Sequence, residues 1–166
     1  MQNFILIMGL GNPGYDYSYH NLGSDILKNI IKNQSVHQFN RYAWGWDINN
    51  KNFIGFISQD YINNAGISLV NFLKQIKYKP QKIIIITDCA ELDWGVIKID
   101  EGSKSAKGHN GIRDIKKHYG DNFIKIRVGI KKNIKLGDYV LDTINDQERK
   151  DLLYLCEEIQ KKIFFE

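Results

Sequence analysis

Hydrophobic residues along this chain alternate between two periods. Residues 3–10, NFILIMGL, form an apolar run that stops at Gly-Asn-Pro-Gly, which predicts a buried first strand. From 22 to 33 the apolar positions are Leu22, Ile26, Leu27, Ile30 and Ile31, a helical spacing. Two strand-like segments follow, YAWGWDI and NFIGFIS, joined by a turn at Asn49-Asn50-Lys51-Asn52. A second helix is predicted over 65–76, where Ile67, Val70, Phe72, Leu73 and Ile76 turn toward a core.

KIIIITD is a continuous apolar run ending at Asp88, the pattern of a central strand covered on both faces. GVIKI predicts another strand, and the loop DEGSKSAKGHNG leads into a helix, GIRDIKKHY. FIKIRVGI is the last strand. NDQERKDLLYLCEEIQKKIFF reads as a terminal amphipathic helix with Asn145 or Asp146 as N-cap. This alternation predicts the α/β class: one domain over 1–166, with a mixed, mostly parallel twisted sheet flanked by helices.

Composition adds the distribution of charge. The net charge is +4, yet residues 98–135 carry eleven Lys/Arg against four Asp/Glu, leaving the rest of the chain net acidic. Such concentration suits a phosphate-backbone partner, although solvated lysine surface gives the same count. Cys89 and Cys156 show no metal-binding spacing and no disulfide framework. With no 18-residue apolar stretch and no signal-peptide pattern, a soluble, cytoplasmic protein without a membrane partner is expected.

Ligands of an open α/β sheet gather beyond the carboxyl ends of its strands. There the sequence offers Asn12 and His20-Asn21 after the first strand, Asn63 and Asn64 after FIGFIS, Asp88, and His109-Asn110 at a helix start. A histidine whose tautomer is fixed by an aspartate can take a proton from water, and asparagine amides can donate to a carbonyl oxygen. Water attack on an ester or amide is the simplest chemistry for that set. Singly, each residue has a plainer role: surface histidine, strand-end cap, helix start, turn former.

GLGNPG departs from the G-x-G-x-x-G phosphate cradle. Its third glycine comes early, Pro13 lacks the N–H a cradle needs, and the next helix starts too late. His20, Asp88 and His109 could form a zinc site, but no local ligand spacing such as H-E-x-x-H supports one.

Together, GLGNPG with a tyrosine and HN-x-G, YINNAG, IITD, KGHNGIRDI, RVGI and GDYVL resemble, in order and spacing, the bacterial-type peptidyl-tRNA hydrolase family. The resemblance runs from residue 3 nearly to the C-terminus. It implies hydrolysis of the ester joining a peptide to the 3′ end of tRNA, with no metal or organic cofactor. His20 would activate water, Asp88 would hold and polarise it, and Asn12 would sit near the scissile ester. Tyr61, Asn63 and Asn110 would contact the peptide and the tRNA 3′ end, with His109 shaping the site and Tyr17 in the family's tyrosine position. Lys104, Lys107, Lys116 and Lys117 would hold acceptor-stem phosphates. The protein is expected to be a monomer.

The chain also departs from the family pattern. Thr-Arg before the histidine is absent, and the segment from Asn12 to His20 is two residues shorter, so that Tyr15 competes with Tyr17 for the tyrosine role. Ile62 stands for the usual methionine, Glu91 for the second aspartate of D-x-x-D-L-P, and GIKKN for G-I-G-R-P, which points phosphate contacts to Lys131 and Lys132. The absent Arg and the shortened loop also fit a catalytically weakened module that binds the tRNA acceptor stem; a small-molecule carboxylic-ester hydrolase is a third alternative.

Overall fold

The structure is a computed structural model describing residues 3–165; Met1, Gln2 and Glu166, at the ends of the expected 1–166 domain, lie outside the described residues. In chain order the elements are β1 (Phe4–Gly9), α1 (Leu22–Lys32), β2 (His37–Asn40), β3 (Ala43–Ile48), β4 (Lys51–Ile57), α2 (Ala65–Gln75), β5 (Lys82–Asp93), β6 (Ile97–Glu101), α3 (Asn110–His118), β7 (Ile124–Lys131) and α4 (Asp146–Phe164). The seven strands form one sheet in the order β2-β3-β4-β1-β5-β7-β6. The four central strands are parallel, and the antiparallel strands lie outside them. Among the described residues no helix is long and apolar enough to cross a membrane.

The uninterrupted apolar runs of β1 and β5 serve two cores at once. Leu6, Met8, Ile83 and Ile85 point to the face covered by Leu69 and Phe72 of α2 and Ile112 and Ile115 of α3. Ile7, Ile84 and Ile86 point to the other face, under Ile26 and Ile30 of α1 and Leu155 and Ile159 of α4. Alternation of side chains along a strand makes this division automatic once both faces are covered. Asn145 is the N-cap of α4: its Oδ1 accepts the Glu148 N–H at 2.9 Å, and Glu148 Oε2 accepts the Asn145 N–H at 2.9 Å.

Two boundaries differ from the pattern in the sequence. The β3–β4 turn is only Asn49-Asn50, with φ of 51° and 61°, the left-handed pair a two-residue hairpin needs. Asp88 does not end its strand. β1 stops pairing with β5 at Gly9 opposite Ile86, while β5 continues along β7, with Asp88 opposite Val128 and, after an irregularity, Asp93 opposite Lys131. Asp88 therefore stands on a strand whose neighbour has just left, where α1 begins against the sheet. Close approach there requires glycine, since a Cβ on Gly23 would lie 2.1 Å from the Ile86 carbonyl oxygen. β2 was not expected from the sequence: all four of its residues are exposed, so no apolar period marks it.

Candidate active site

The first turn after β1 is tied to the segment carrying His20. Asn12 N–H donates to Asn21 Oδ1 at 2.8 Å, and Asn21 Nδ2 donates back to the Asn12 carbonyl at 2.9 Å. The side chain of Asn12 reaches a third segment, its Oδ1 accepting the Ile62 N–H at 2.7 Å. That bond fixes the amide orientation and leaves Nδ2, a donor, without a protein partner among the described residues. Glycine at 111 lets α3 begin against the same turn, because a Cβ there would lie 2.9 Å from Ile62 Cγ1.

A 3-10 turn, Tyr19–Asn21, presents His20 to Asp88. His20 Nδ1 lies 3.0 Å from Asp88 Oδ2, and His109 Nε2 lies 2.9 Å from Asp88 Oδ1. Burial alone would raise the Asp88 pKa, but His109 and then His20, each within hydrogen-bonding distance of one carboxylate oxygen, outweigh it and hold the carboxyl well below the usual carboxylate range. An ionised carboxylate only accepts, so the neutral form of His20 carries its proton on Nδ1 and exposes the Nε2 lone pair. Burial of the His20 ring opposes its charged form, yet the hydrogen bond and charge of Asp88 prevail and raise its pKa above the ordinary value.

His109 is fixed from both sides. Its Nδ1 accepts the Ile112 N–H at 3.3 Å as the N-cap of α3, so its Nε2 bears the proton shared between Asp88 and Thr87 Oγ1, the latter at 2.9 Å. His20, Asp88 and His109 also offer ligand atoms within 4.8 Å of one another. The hydrogen bonds favour a proton-bridged triad over a metal there, because a metal at His109 Nε2 would displace the proton that the Ile112 contact places on it.

A cleft of about 270 Å³ opens beside the triad, between Ala106–Gly108 on one side and Leu136, Gly137 and Val140 on the other. Asn110 lines it, but Asn12, Tyr17, Tyr61 and Asn63 do not. Tyr61 is 60% exposed and Asn63 sits in the Ile62–Asn64 turn, so both flank Asn12 rather than the cleft. Tyr17 adopts a left-handed φ of 63°, donates its N–H to Asp25 Oδ2 at 2.7 Å, and packs its ring 4.7 Å from the Arg149 guanidinium. Tyr15, the competing tyrosine, is 41% exposed.

The lysines divide into surface and support. Lys104 and Lys107 stand on the loop before α3, facing Asp100 at 3.2 Å and Glu91 at 3.5 Å, and Lys117 is exposed on α3. Lys116 instead turns under the loop, donating to the carbonyls of Gly102, Ser103 and Lys104 and meeting Asp121 at 2.8 Å. Lys125, fully buried, joins it there with bonds of 2.9 and 2.7 Å to the Lys104 and Ser105 carbonyls. Arg127, on the same face of β7, is held by Asp100 at 2.5 Å and donates to Cys89 Sγ at 3.3 Å. The cations on the cleft floor are thus occupied by protein groups. Lys132 also turns inward, onto Tyr19 and Glu148, and only Lys131 of that pair faces outward, 3.8 Å from Asp93.

Thr87, Lys125 and Arg127 have no place in the expectation from sequence, and Asn21 stands in it only as an asparagine beside His20, with no role of its own. Asn21 was adjacent to the histidine it helps place, and charges at alternate positions of an otherwise apolar strand were the available sign for Lys125 and Arg127.

Known proteins resemble this chain over nearly its whole length. The peptidyl-tRNA hydrolase family model matches residues 6–164. The chain is 34% identical to the peptidyl-tRNA hydrolase of Wolbachia sp. subsp. Brugia malayi, covering 95% of this chain and 90% of the relative. It is 35% identical to that of Fusobacterium nucleatum, covering 93% and 84%. The crystal structure of the Acinetobacter baumannii peptidyl-tRNA hydrolase superposes with a TM-score of 0.82 at 28% identity, over 99% of this chain and 89% of that one. With a family match over nearly its whole length and relatives above 30% identity, this chain belongs to the peptidyl-tRNA hydrolase family.

Proposed function

We propose that this chain hydrolyses the ester between a peptide and the 3′ end of tRNA, with His20 as the base that takes a proton from the attacking water. The observation that carries the mechanism is the 3.0 Å contact of His20 Nδ1 with Asp88 Oδ2: beside a carboxylate that only accepts, the proton belongs on Nδ1, and Nε2 has no protein partner among the described residues. Water loses a proton to Nε2 as its oxygen bonds to the ester carbonyl carbon. The imidazolium, stabilised by Asp88, then returns the proton to the departing ribose oxygen as the carbon–oxygen bond breaks. Peptide acid and tRNA are the products, and no cofactor enters the sequence.

Asn12 supplies its unpaired Nδ2 to the carbonyl oxygen, where negative charge develops. Tyr61, Asn63 and Asn110 contact the peptide and the tRNA 3′ end, and His109 keeps Asp88 ionised and aligned. Lys104, Lys107 and Lys117 form the acceptor-stem track, with Lys116 ordering the loop from beneath. Tyr17 serves by latching the loop before His20. The reading is of a cytoplasmic monomer.

Multiple-turnover hydrolysis of an N-acetyl-aminoacyl-tRNA tests the proposal. Turnover that greatly exceeds that of a simple carboxylic ester supports it. Salt-dependent tRNA binding without turnover leaves a binding module, and equal rates on both esters leave a small-molecule esterase.

A further inference from the structure

Tyr19, immediately before His20, is buried with its ring edge-on to Trp94 at 6.0 Å and to Tyr139 at 5.4 Å. Its hydroxyl donates to Glu148 Oε2 at 2.5 Å and accepts from Lys132 Nζ. The ammonium stands 4.2 Å from the Tyr19 ring centroid and 3.7 Å from Glu148 Oε1. The same Glu148 carboxylate accepts the Asn145 N–H that opens α4. One phenol therefore joins the turn bearing His20, the residue following β7 and the first turn of α4. Two backbone bonds pin the same turn to the segment between them: Tyr19 N–H to the Asp142 carbonyl at 3.1 Å, and His20 N–H to the Val140 carbonyl at 2.9 Å.

We infer that Lys132 is a positioning residue for His20, acting through the hydroxyl of Tyr19 and the carboxylate of Glu148. Within a 3-10 turn of three residues, anchoring one side chain fixes the backbone from which the next projects. His20 reaches Asp88 from a short loop, so this anchor sets the distance and ring angle of the pair. Lys132 also supplies the cation that balances Glu148, which is largely withdrawn from water; without it a carboxylate stays buried against a phenol and one amide. The inference rests on the reading of His20 as the base.

The test measures kcat and KM on N-acetyl-aminoacyl-tRNA together with the His20 imidazole resonance across pH, in Lys132→Met, Lys132→Arg, Tyr19→Phe and the Lys132→Met/Tyr19→Phe pair. Misplacement of a reacting group costs up to about 10²-fold, so Lys132→Met should lower kcat about 10-fold or more with KM nearly unchanged. It should also move the His20 titration, Lys132→Arg should restore both, and the double variant should cost little beyond Tyr19→Phe. A raised KM and a flattened salt dependence with unchanged kcat would make Lys132 a phosphate contact and overturn the inference. An unmoved His20 titration would do the same. His20→Ala is run alongside: full turnover there ends the role of His20 as base, while a His20 resonance that still answers to Lys132→Met preserves the structural coupling.

Discussion

Asp88 holds His20 by a 3.0 Å contact from Oδ2 to Nδ1 and spends its other oxygen on His109, so one buried carboxylate orients both imidazoles. Its charge raises the His20 pKa against the effect of burial. A base must be deprotonated to act, so kcat/KM should rise with pH along a limb centred above the ordinary histidine value of about 6.5. Asp88→Asn should move that midpoint down and reduce turnover by about 10²-fold or more, while tRNA affinity changes far less. A pH–rate series on both proteins decides. A limb that stays in place in Asp88→Asn would remove the aspartate from this role.

The lysines separate two effects that a charge count merges. Lys104 and Lys107 are exposed, and their ion pairs with Asp100 and Glu91 are of the weak surface kind, easily exchanged for phosphate. Replacing both with Ser should weaken tRNA binding and reduce the slope of log K against log salt by about 1–2. Lys116→Met should instead lower the melting temperature, because it leaves the Gly102, Ser103 and Lys104 carbonyls without their shared donor, and should hardly alter the slope. Binding titrations at several salt concentrations, alongside melting curves, compare them. A Lys116→Met slope as flat as that of the double variant would place Lys116 in the phosphate track.

Those lysines also show where reading the chain runs out. Helices α1, α2, α3 and α4 were visible because each buries one face, which writes a period of about 3.6 into its sequence. β1, β5 and β7 were visible as apolar runs. β2 was not, because an exposed edge strand needs only backbone bonds to β3 and leaves no apolar trace. The end of β5 was misplaced because a strand stops where its partners stop, and β7 continues past β1. His20, Asp88 and His109 were legible as residue types at strand and helix ends. Their hydrogen-bond order was not, since it depends on pairs 68 and 21 positions apart. Lys116 and Lys132 were expected to face phosphates and instead turn inward, because sequence carries the sign of a side chain and not its direction.

Asp25 supplies a prediction about stability. It lies in the first turn of α1, only 3% exposed, with Oδ2 accepting the Tyr17 N–H. Burial pushes its pKa up to about 7, against the opposing pull of the Tyr17 N–H, Lys28 and Arg149, and with a smaller push from Asp16. An unfolded aspartate ionises near 3.9. Between that value and about 7 the folded protein keeps a proton that the unfolded chain has released, so this group makes stability fall as pH rises through the window. Asp25→Asn keeps an oxygen for the Tyr17 N–H and removes the ionisation. Its stability relative to the parent should therefore climb from pH 4 to 7 and level off above, reaching a gain of about 1–4 kcal/mol. Urea midpoints at intervals across pH 4–8 measure it. If the variant instead loses ground to the parent as pH rises, the carboxylate is stabilised by Lys28 and Arg149 in its charged form, and the loop before His20 is held by an ion cluster rather than by a neutral acid.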